Sequence, residues 1–334
     1  MIVTIPAPNW PPNGPRPINL KQDVPQVVEL LELAFGEKMD QGGRSIVRHG
    51  SMTNQPDFLW RFHPRYNRLA PGYIWQEGDR IVGNVTLIAT KVPGRHIVAN
   101  VAVHPDYRRR GIARALMDAV MNQVRARHGN VVMLQVVKDN YPAIDLYRSL
   151  NFHKIGSMAL WRGSLSRLRE IPAAREGSKP PVIRPLSRRQ WQEAYQLDVD
   201  CLHPDLNWPE PLPSGFYRTG FMQSVSNFMN GRQQEMWGIV DDNGRLVGVG
   251  SLVGEWLQSY ELSVRVHPQW RGHLERPLLA KLVRRVRTMS RRNVRINHPD
   301  HDEVMSDLLE QANFSIQRTL THMRWDVTYD RSVI

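Results

Sequence analysis

The chain has 334 residues, enough for two domains of ordinary size. Hydrophobic residues make up 41% and charged residues 23%, proportions that exclude wholesale disorder. The 44 lysines and arginines exceed the 32 acidic residues and give a net charge of +12. This excess indicates an anionic partner, such as a phosphorylated cofactor, a nucleic acid or an acidic surface. Because no run of about 18 apolar residues occurs, no membrane association is predicted.

The N-terminal segment and the cysteine content indicate the compartment. Residues 1–15 form a proline-rich arm without the basic and apolar regions of a secretory signal. Cys201 is the single cysteine, so it cannot form an internal disulfide or supply a cysteine-based zinc site by itself. We therefore expect a cytoplasmic protein without a metal ion.

The same pattern occurs twice along the chain. Four motifs return in the same order, and their offsets drift slowly from 168 to 162 residues. The motifs begin at Arg16, Glu77, Val101 and Leu150 in the first half and at Arg184, Asp242, Val264 and Ala312 in the second. Two tandem copies of one domain explain this order better than chance. The predicted domains are 16–162 and 182–334, joined by a linker at 163–181 that is rich in turn-forming residues.

Each copy predicts an α/β fold with a mixed β-sheet. In the first copy a short strand leads to one or two helices, and a Gly-Asp pair predicts a hairpin turn. The β-branched run 96–103 predicts a strand, and the apolar residues of 112–124 recur at helical spacing. Another strand is expected at 131–137 and a short helix at 143–150. A strand–helix–strand unit of this length implies a parallel crossover, so the sheet is flanked by helices.

The loop between the predicted strand 96–103 and the helix that begins at residue 112 has the features of a phosphate site. A helix N-terminus offers unpaired N–H groups and a partial positive charge. Gly111 and Ala113 lack bulk, which permits close approach of a pyrophosphate to the backbone. Four arginines add positive charge: Arg108, Arg109, Arg110 and Arg114. Arginines alone are also typical of a solvated surface, so the specific signal is the whole order of strand, His-Pro, Tyr and Arg-x-x-Gly-x-Ala.

Residues 97–156 resemble the GNAT superfamily of acyl-CoA-dependent N-acyltransferases. The resemblance rests on this loop and on a later segment, Asn140-x-x-Ala-Ile-x-Leu-Tyr147-x-x-x-Asn-Phe. It is weaker over 16–96 and 182–326, so the whole chain resembles a tandem GNAT protein. The resemblance implies that each sheet is splayed apart in the middle and that acetyl-CoA lies in the cleft, with no metal.

The resemblance also implies roles for single residues. Val101, Ala102 and Val103 would pair their backbone with the pantetheine arm, and Asn140 would contact the pantetheine or its thioester end. The pyrophosphate would lie against Arg108, Arg109, Arg110, Gly111, Ile112, Ala113 and Arg114. Tyr147 holds the position of the general acid, where a phenol protonates the leaving thiolate. The alternative for Tyr147 is a packing role as an aromatic residue on a short helix.

The general base is not evident. Asn100 and Gln135 occupy the positions where many relatives carry a glutamate, and neither is a useful base, although either can hold a water. Other candidates are His96, His104, Glu37, Asp40 and His49. A water chain, or an amine that arrives neutral, would need no dedicated base.

The acceptor is equally open. Aromatic residues that are candidates for an acceptor wall, or for simple core, are Trp60, Phe62, Tyr66, Tyr73 and Trp75. Arginines that would attract an acidic acceptor, or would merely be solvated, are Arg44, Arg48, Arg61 and Arg65. The sequence predicts an amine acceptor without choosing between a small molecule and a protein.

The second copy departs from the loop pattern. Leu274 matches Gly111, Arg276 matches Ala113, and Pro277 follows. Tyr147 is matched by Leu309, and the match to Asn140 falls somewhere between His298 and Asp302. We therefore expect a degenerate site, with a structural role or a role in forming a homodimer.

A basic helix in the second copy supports a rival function. Its eight basic residues, with no acidic residue between Arg276 and Asn297, are Arg276, Lys281, Arg284, Arg285, Arg287, Arg291, Arg292 and Arg295. Such a face binds phosphate backbones or is simply solvated. The sequence predicts an N-acetyltransferase that acts by direct attack of a primary amine and binds no specific nucleic acid. The alternative is a non-catalytic GNAT-like sensor of acyl-CoA or nucleic acid.

Overall fold

The computed structural model describes residues 13–35 and 72–328, apart from gaps at 175–176, 178, 221–226, 228, 230–231, 255–258 and 291–292. The α-helices of these residues are α1 (Val24–Phe35), α2 (Ile112–Ala126), α3 (Tyr141–Ser149), α4 (Trp191–Cys201), α5 (Glu275–Arg287) and α6 (Glu303–Gln311). The strands are β1 (Asn13–Pro17), β2 (Tyr73–Glu77), β3 (Arg80–Ala89), β4 (Arg95–Val103), β5 (Val131–Val137), β6 (His153–Ser164), β7 (Arg184–Pro185), β8 (Gln233–Val240), β9 (Leu246–Gly254), β10 (Tyr260–Val266), β11 (Asn293–Pro299) and β12 (Ser315–Asp326). None of the described helices has the length and apolar character needed to cross a bilayer.

Two compact units make up the chain. Unit 1 comprises 1–134, 145–153 and 324–334, and unit 2 comprises 135–144 and 154–323. The two predicted copies of a mixed α/β fold are therefore confirmed as an architecture, although each unit draws on both halves of the sequence.

Unit 1 is built on a mixed sheet with the strand order β1-β2-β3-β4-β5. The pairs up to β4 are antiparallel, and β4 and β5 are parallel, as the sequence predicts. The helix α2 packs on this sheet through Leu116, Val120 and Val124, all fully buried. It approaches β3 closely because Gly83 has no side chain: a Cβ there would lie 2.9 Å from Cγ2 of Ile112.

Unit 2 repeats this plan with the strand order β6-β11-β10-β9-β8-β7. The strands β10 and β11 are parallel, and the other pairs are antiparallel. The helix α5 buries Leu278, Leu282 and Val286 in the core of this unit.

The last strand of each copy explains why the spatial units differ from the repeat. β6 lies in the first sequence copy, yet it pairs with β11 in unit 2, from Ser164↔Asn293 to Met158↔Pro299. The equivalent strand β12 ends in unit 1, where the ring of Trp325 lies 6.2 Å from that of Phe152. Strand pairing follows backbone edges and side-chain faces, which the repeat spacing does not specify.

The segment predicted as a linker is partly built into unit 2. Its first two residues belong to β6, and Leu168 and Ile171 are each only 5% exposed in the core of that unit. The predicted boundary at 162 marks the end of the first sequence repeat, and it lies within the stretch 154–323 that belongs to unit 2.

Candidate functional site

The strands β4 and β5 separate at the place where the sequence predicts a cleft. Their parallel ladder ends at Val98↔Leu134, whereas β4 continues to Val103 and stays paired with β3 to its end. Over the part of the chain that the structure describes, the other edge of β4 has no ladder partner beyond Val98. Val101 and Ala102 lie in this stretch, where an unpaired strand edge can accept an extended ligand.

The loop that follows β4 turns through left-handed residues. His104 caps the short 3₁₀ turn Pro105–Tyr107, and its Nδ1 accepts a hydrogen bond from the backbone N–H of Asp106 at 3.3 Å. Arg109 and Gly111 then have φ angles of 61° and 80°. Gly111 is the N-cap of α2, so the chain enters the helix from a conformation that favours glycine.

Gly111 leaves open space in front of α2. The first bond of the helix runs from the N–H of Ala115 to the carbonyl of Gly111, at 3.0 Å. The N–H groups of Ile112, Ala113 and Arg114 therefore have no acceptor within the helix. A Cβ built on Gly111 would meet nothing within 4 Å. Free donors, a helix dipole and open space together fit a pyrophosphate.

Three of the four predicted arginines are held by hydrogen bonds within unit 1. Arg108 donates from Nε to the carbonyl at the end of β4 (3.2 Å), and Arg110 donates to a carbonyl of the 3₁₀ turn (3.0 Å). Arg114 donates to the hydroxyl of Ser149. Arg109 is exposed and makes no hydrogen bond or ion pair within the described residues. It is thus the guanidinium that needs no rearrangement to meet a phosphate.

Tyr147 lies in unit 1 on α3, where its side chain is buried. The ring is only 6% exposed and lies 6.0 Å from the ring of Phe152. Burial raises the pKa of the phenol well above its ordinary value, because ionisation would place a charge in an apolar environment. The group is therefore fully protonated at neutral pH, as a general acid must be.

Asn140 and Gln135 both belong to unit 2. The backbone N–H of Asn140 donates to the carbonyl of Val137 at 2.9 Å, and its carbonyl accepts from Ile144 at 3.0 Å. Nε2 of Gln135 lies 2.9 Å from Nε2 of His322. The amide of Gln135 is thus engaged, and the roles that the sequence predicts for these two residues stay predictions.

The remaining candidates for the general base either make structural hydrogen bonds, or are buried far from the loop, or lie outside the described residues. Asn100 is buried and donates its amide to Oγ1 of Thr86 at 3.3 Å. His96 is buried at the start of β4, about 23 Å of extended strand away from the loop. Burial lowers the pKa of His96. Nδ1 of His104 serves as the acceptor in the turn, and Glu37, Asp40 and His49 lie outside the described residues.

Most of the predicted acceptor wall lies outside the described residues. This applies to Trp60, Phe62, Tyr66, Arg44, Arg48, Arg61 and Arg65. Tyr73 and Trp75 are half-buried in β2, and Nε1 of Trp75 donates to Glu77 at 3.2 Å.

The loop of unit 2 has the same turn but a different entry into its helix. Gly272, with a φ angle of 83°, takes the place of Arg109. The N-cap of α5 is Leu274, with a φ angle of −107°, so this residue occupies the position of Gly111. The predicted match between the two loops agrees with these helix starts.

Backbone path and charge, rather than bulk, distinguish the loop of unit 2. The side chain of Leu274 does not fill the space in front of α5, because it is buried in the core, 3.5 Å from a Cβ placed on Gly248. Its right-handed conformation, however, directs the helix start differently from Gly111. Glu275 buries its carboxyl group at the first helical position, where the dipole already favours an anion, and Pro277 lacks an N–H.

A cavity of about 480 Å³ lies beside the loop of unit 2. Its polar lining comes from Lys179, Gly272, His273, Arg276, Asp307 and Gln311. This lining carries both signs of charge, and it lacks a left-handed residue at the helix start. The cavity therefore has room for a ligand but not the backbone geometry of unit 1.

Two further positions of unit 2 can now be matched. The N–H of Ser306 donates to the carbonyl of Asp302 at 3.0 Å, as that of Ile144 does to Asn140. Asp302 is therefore the counterpart of Asn140. Leu309, the counterpart of Tyr147, is fully buried and offers no proton.

An ion pair that the sequence did not reveal lies in the core of unit 2. Nε of Arg265 donates to Oδ1 of Asp198 at 2.5 Å, and the hydroxyl of Tyr217 donates to the same oxygen at 3.3 Å. All three side chains are buried. Ala102 occupies the place of Arg265 in unit 1, within an apolar cluster.

We expect Asp198→Ala to destabilise the protein by about 3–5 kcal/mol, because it leaves the buried guanidinium of Arg265 unpaired. Asp200→Ala is the matched control, since Asp200 is exposed on the same helix. Urea unfolding of both variants measures the difference. Equal midpoints for the two variants would show that the ion pair contributes nothing.

The basic face of α5 is largely paired within the chain. Arg285 binds Glu235 through two hydrogen bonds of 2.7 and 2.5 Å. Arg284 and Arg287 both approach Glu170, at 3.6 and 3.1 Å. These carboxylates offset much of the positive charge that the sequence places on the helix.

Comparison with known proteins agrees with this geometry. Residues 38–152 match the family model described as Acetyltransferase (GNAT) family. An N-alpha-acetyltransferase of Saccharolobus solfataricus is 36% identical over 85 residues, which cover 25% of this chain and 50% of that protein. A peptidyl-lysine N-acetyltransferase of Escherichia coli is 36% identical over 84 residues, which cover 25% of this chain and 51% of that protein. The chain thus spans about half the length of these curated relatives.

The fold extends the similarity to nearly the whole chain. A GCN5-related N-acetyltransferase from Sphaerobacter thermophilus aligns with a TM-score of 0.57 and 14% identity, over 93% of this chain and 95% of that one. At this identity the likeness concerns the fold alone. The chain is thus similar to the GNAT family of acetyltransferases in sequence over residues 38–152, and to a GCN5-related N-acetyltransferase in fold over most of its length.

Proposed function

We propose that the protein is a cytoplasmic N-acetyltransferase that transfers the acetyl group of acetyl-CoA to a primary amine, with its working site in unit 1. The observation that carries this proposal is the open, left-handed entry into α2 at Gly111, next to an unpaired edge of β4. The relatives support an amine acceptor, because one is named an N-alpha-acetyltransferase and the other a peptidyl-lysine N-acetyltransferase. For this chain, the acceptor is either a protein amine or a small molecule.

The proposed reaction assigns the chain two tasks. The N–H groups of Ile112, Ala113 and Arg114, with Arg109, hold the pyrophosphate, and β4 holds the pantetheine arm through Val101, Ala102 and Val103. The neutral amine nitrogen then attacks the thioester carbonyl, and the carbon–sulfur bond breaks.

Proton transfers complete the reaction. The leaving sulfur takes a proton from the phenol of Tyr147, which regains one from solvent. The amine gives its proton to water, since Asn100 and Gln135 are not bases.

A panel of amines tests the proposal. The purified chain is incubated with acetyl-CoA and with lysine peptides, peptides with free N-termini and small amines, and both thiol release and acetylated product are measured. We expect acceptor-dependent release of one thiol for each acetyl group transferred. Saturable acetyl-CoA binding without thiol release for any amine would favour the non-catalytic sensor.

We expect only weak, salt-sensitive binding to DNA. Exposed arginines of α5 would release counterions from phosphates, but Glu170 and Glu235 already pair three of them. Fluorescence anisotropy with labelled duplexes of two unrelated sequences measures the affinity at low and physiological salt. Tight binding to one sequence at physiological salt would contradict this expectation and favour the sensor.

A further inference from the structure

Three polar side chains are buried together in the sheet of unit 1. Asn84 is 1% exposed, Thr86 is 4% exposed and Asn100 is 8% exposed. Nδ2 of Asn84 donates to the backbone carbonyl of Asn100 at 2.8 Å and lies 3.5 Å from Oγ1 of Thr86. Nδ2 of Asn100 donates to the same hydroxyl at 3.3 Å. The three residues therefore form one network, which we call the β3–β4 triad.

The triad lies at a β-bulge. The antiparallel register of β3 and β4 shifts between Asn84↔Ala102 and Thr86↔Ala99, so β4 carries one extra residue. Asn100 is in this extra stretch and has a φ angle of 52°, in the left-handed region. Asparagine tolerates this region better than most residues, but the conformation persists only where its surroundings hold it.

Unit 2 provides an internal comparison. Its β9 and β10 pair in a regular register from Val253↔Glu261 to Gly248↔Val266, with no shift. Val249 stands where unit 1 has Asn84, and Ser251 stands where unit 1 has Thr86. On their other edges, β4 and β10 form parallel ladders with β5 and β11, and these ladders end at equivalent places in the two units. The bulge is therefore not what separates β4 from β5. Unit 1 thus has both the triad and the bulge, and the described residues of unit 2 have neither.

We propose that Asn84 and Thr86 are positioning residues that hold the bulge at Asn100 and thereby set how β4 presents its backbone to the acyl end of acetyl-CoA. This inference rests on the proposed function. The bulged residue Asn100 immediately precedes Val101–Val103, so a change of one residue in register turns the backbone groups of this stretch towards the opposite side. The amide of Asn84 binds the carbonyl of the bulged residue directly, and the hydroxyl of Thr86 accepts from Asn100.

The test copies unit 2 into unit 1. In Asn84→Val, which reproduces Val249, the hydrogen bond from Nδ2 of Asn84 to the carbonyl of Asn100 is lost. We expect kcat to fall by about 10- to 100-fold, because small displacements of reacting groups have effects of this size. The dissociation constant of acetyl-CoA should change less than about threefold, since the loop at Gly111 is untouched. Ser251→Ala, at the position in unit 2 equivalent to Thr86, is the matched control and should retain wild-type kinetics.

Two variants of Thr86 test the same inference independently, in case Asn84→Val does not fold. Thr86→Val removes the hydroxyl with little change in shape and should lower kcat, whereas Thr86→Ser keeps the acceptor and should restore most of it. A wild-type kcat in Asn84→Val or in Thr86→Val would overturn the inference. Equal losses in Thr86→Ser and Thr86→Val, or a parallel loss of acetyl-CoA affinity, would show a structural role only and overturn it as well.

A crystal structure of Asn84→Val or Thr86→Val separates this inference from the proposed function. We expect Asn100 to leave the left-handed region, or the register shift to move, even if no amine acceptor is found for the wild type. An unchanged bulge would refute the role of the triad. Failure of wild-type turnover with an altered bulge in the variant would count against the proposed function alone.

Discussion

Gly111→Leu is expected to abolish saturable binding of acetyl-CoA. A side chain at this position would enter the open space in front of α2, where a built Cβ meets no atom within 4 Å. It would also disfavour the φ angle of 80° with which Gly111 leads into the helix. Calorimetric titration measures the loss, and the wild-type chain should bind about one acetyl-CoA, in unit 1.

Gly272→Leu is the matched control for this prediction. Gly272 has a similar φ angle of 83° and similarly open surroundings, but it lies in the loop of unit 2. Its substitution imposes the same kind of backbone strain and should leave acetyl-CoA binding unchanged. Leu274→Gly should not create a second site, because Glu275 and Pro277 remain. A stoichiometry near two, or binding that survives Gly111→Leu, would show that the cavity of unit 2 is a working site.

Tyr147→Phe is expected to lower kcat by about 10- to 1000-fold while acetyl-CoA binding changes little. Phenylalanine keeps the packing against Phe152 and removes only the proton donor. Because burial raises the pKa of Tyr147, its phenol stays protonated as the pH rises through neutrality. The wild-type kcat should therefore show no loss from ionisation of this group between about pH 7 and 9.

Tyr141→Phe separates the role of Tyr147 from a general effect on α3. Tyr141 begins the same helix and is 67% exposed, so its hydroxyl is not expected to take part. Steady-state kinetics of both variants with one responsive amine make the comparison. Wild-type turnover in Tyr147→Phe would assign the tyrosine to packing alone.

The candidate site shows which features local sequence can predict. The strand that ends in His-Pro, the turn and the helix start at Gly111 follow one another within a few residues, so their order alone indicates a phosphate loop. The match of Leu274 to Gly111 also agrees with the structure, because both residues precede a helix at the same place in the repeat. The partners of the arginines could not be predicted, since Ser149 and Glu235 are far from Arg114 and Arg285 in sequence.

The sequence by itself determined the two copies, the mixed α/β fold and the position of the loop, because periodicity and turn residues act over short distances. Only the tertiary structure decided that β6 pairs with β11, that Asp198 neutralises Arg265, and that Asn100 bulges from β4. These features depend on which backbone edges and side chains meet across the fold. Such long-range pairings produce no periodic pattern in a single sequence. The repeat therefore predicted the helices and strands of each copy, but not which of them pack together in one unit.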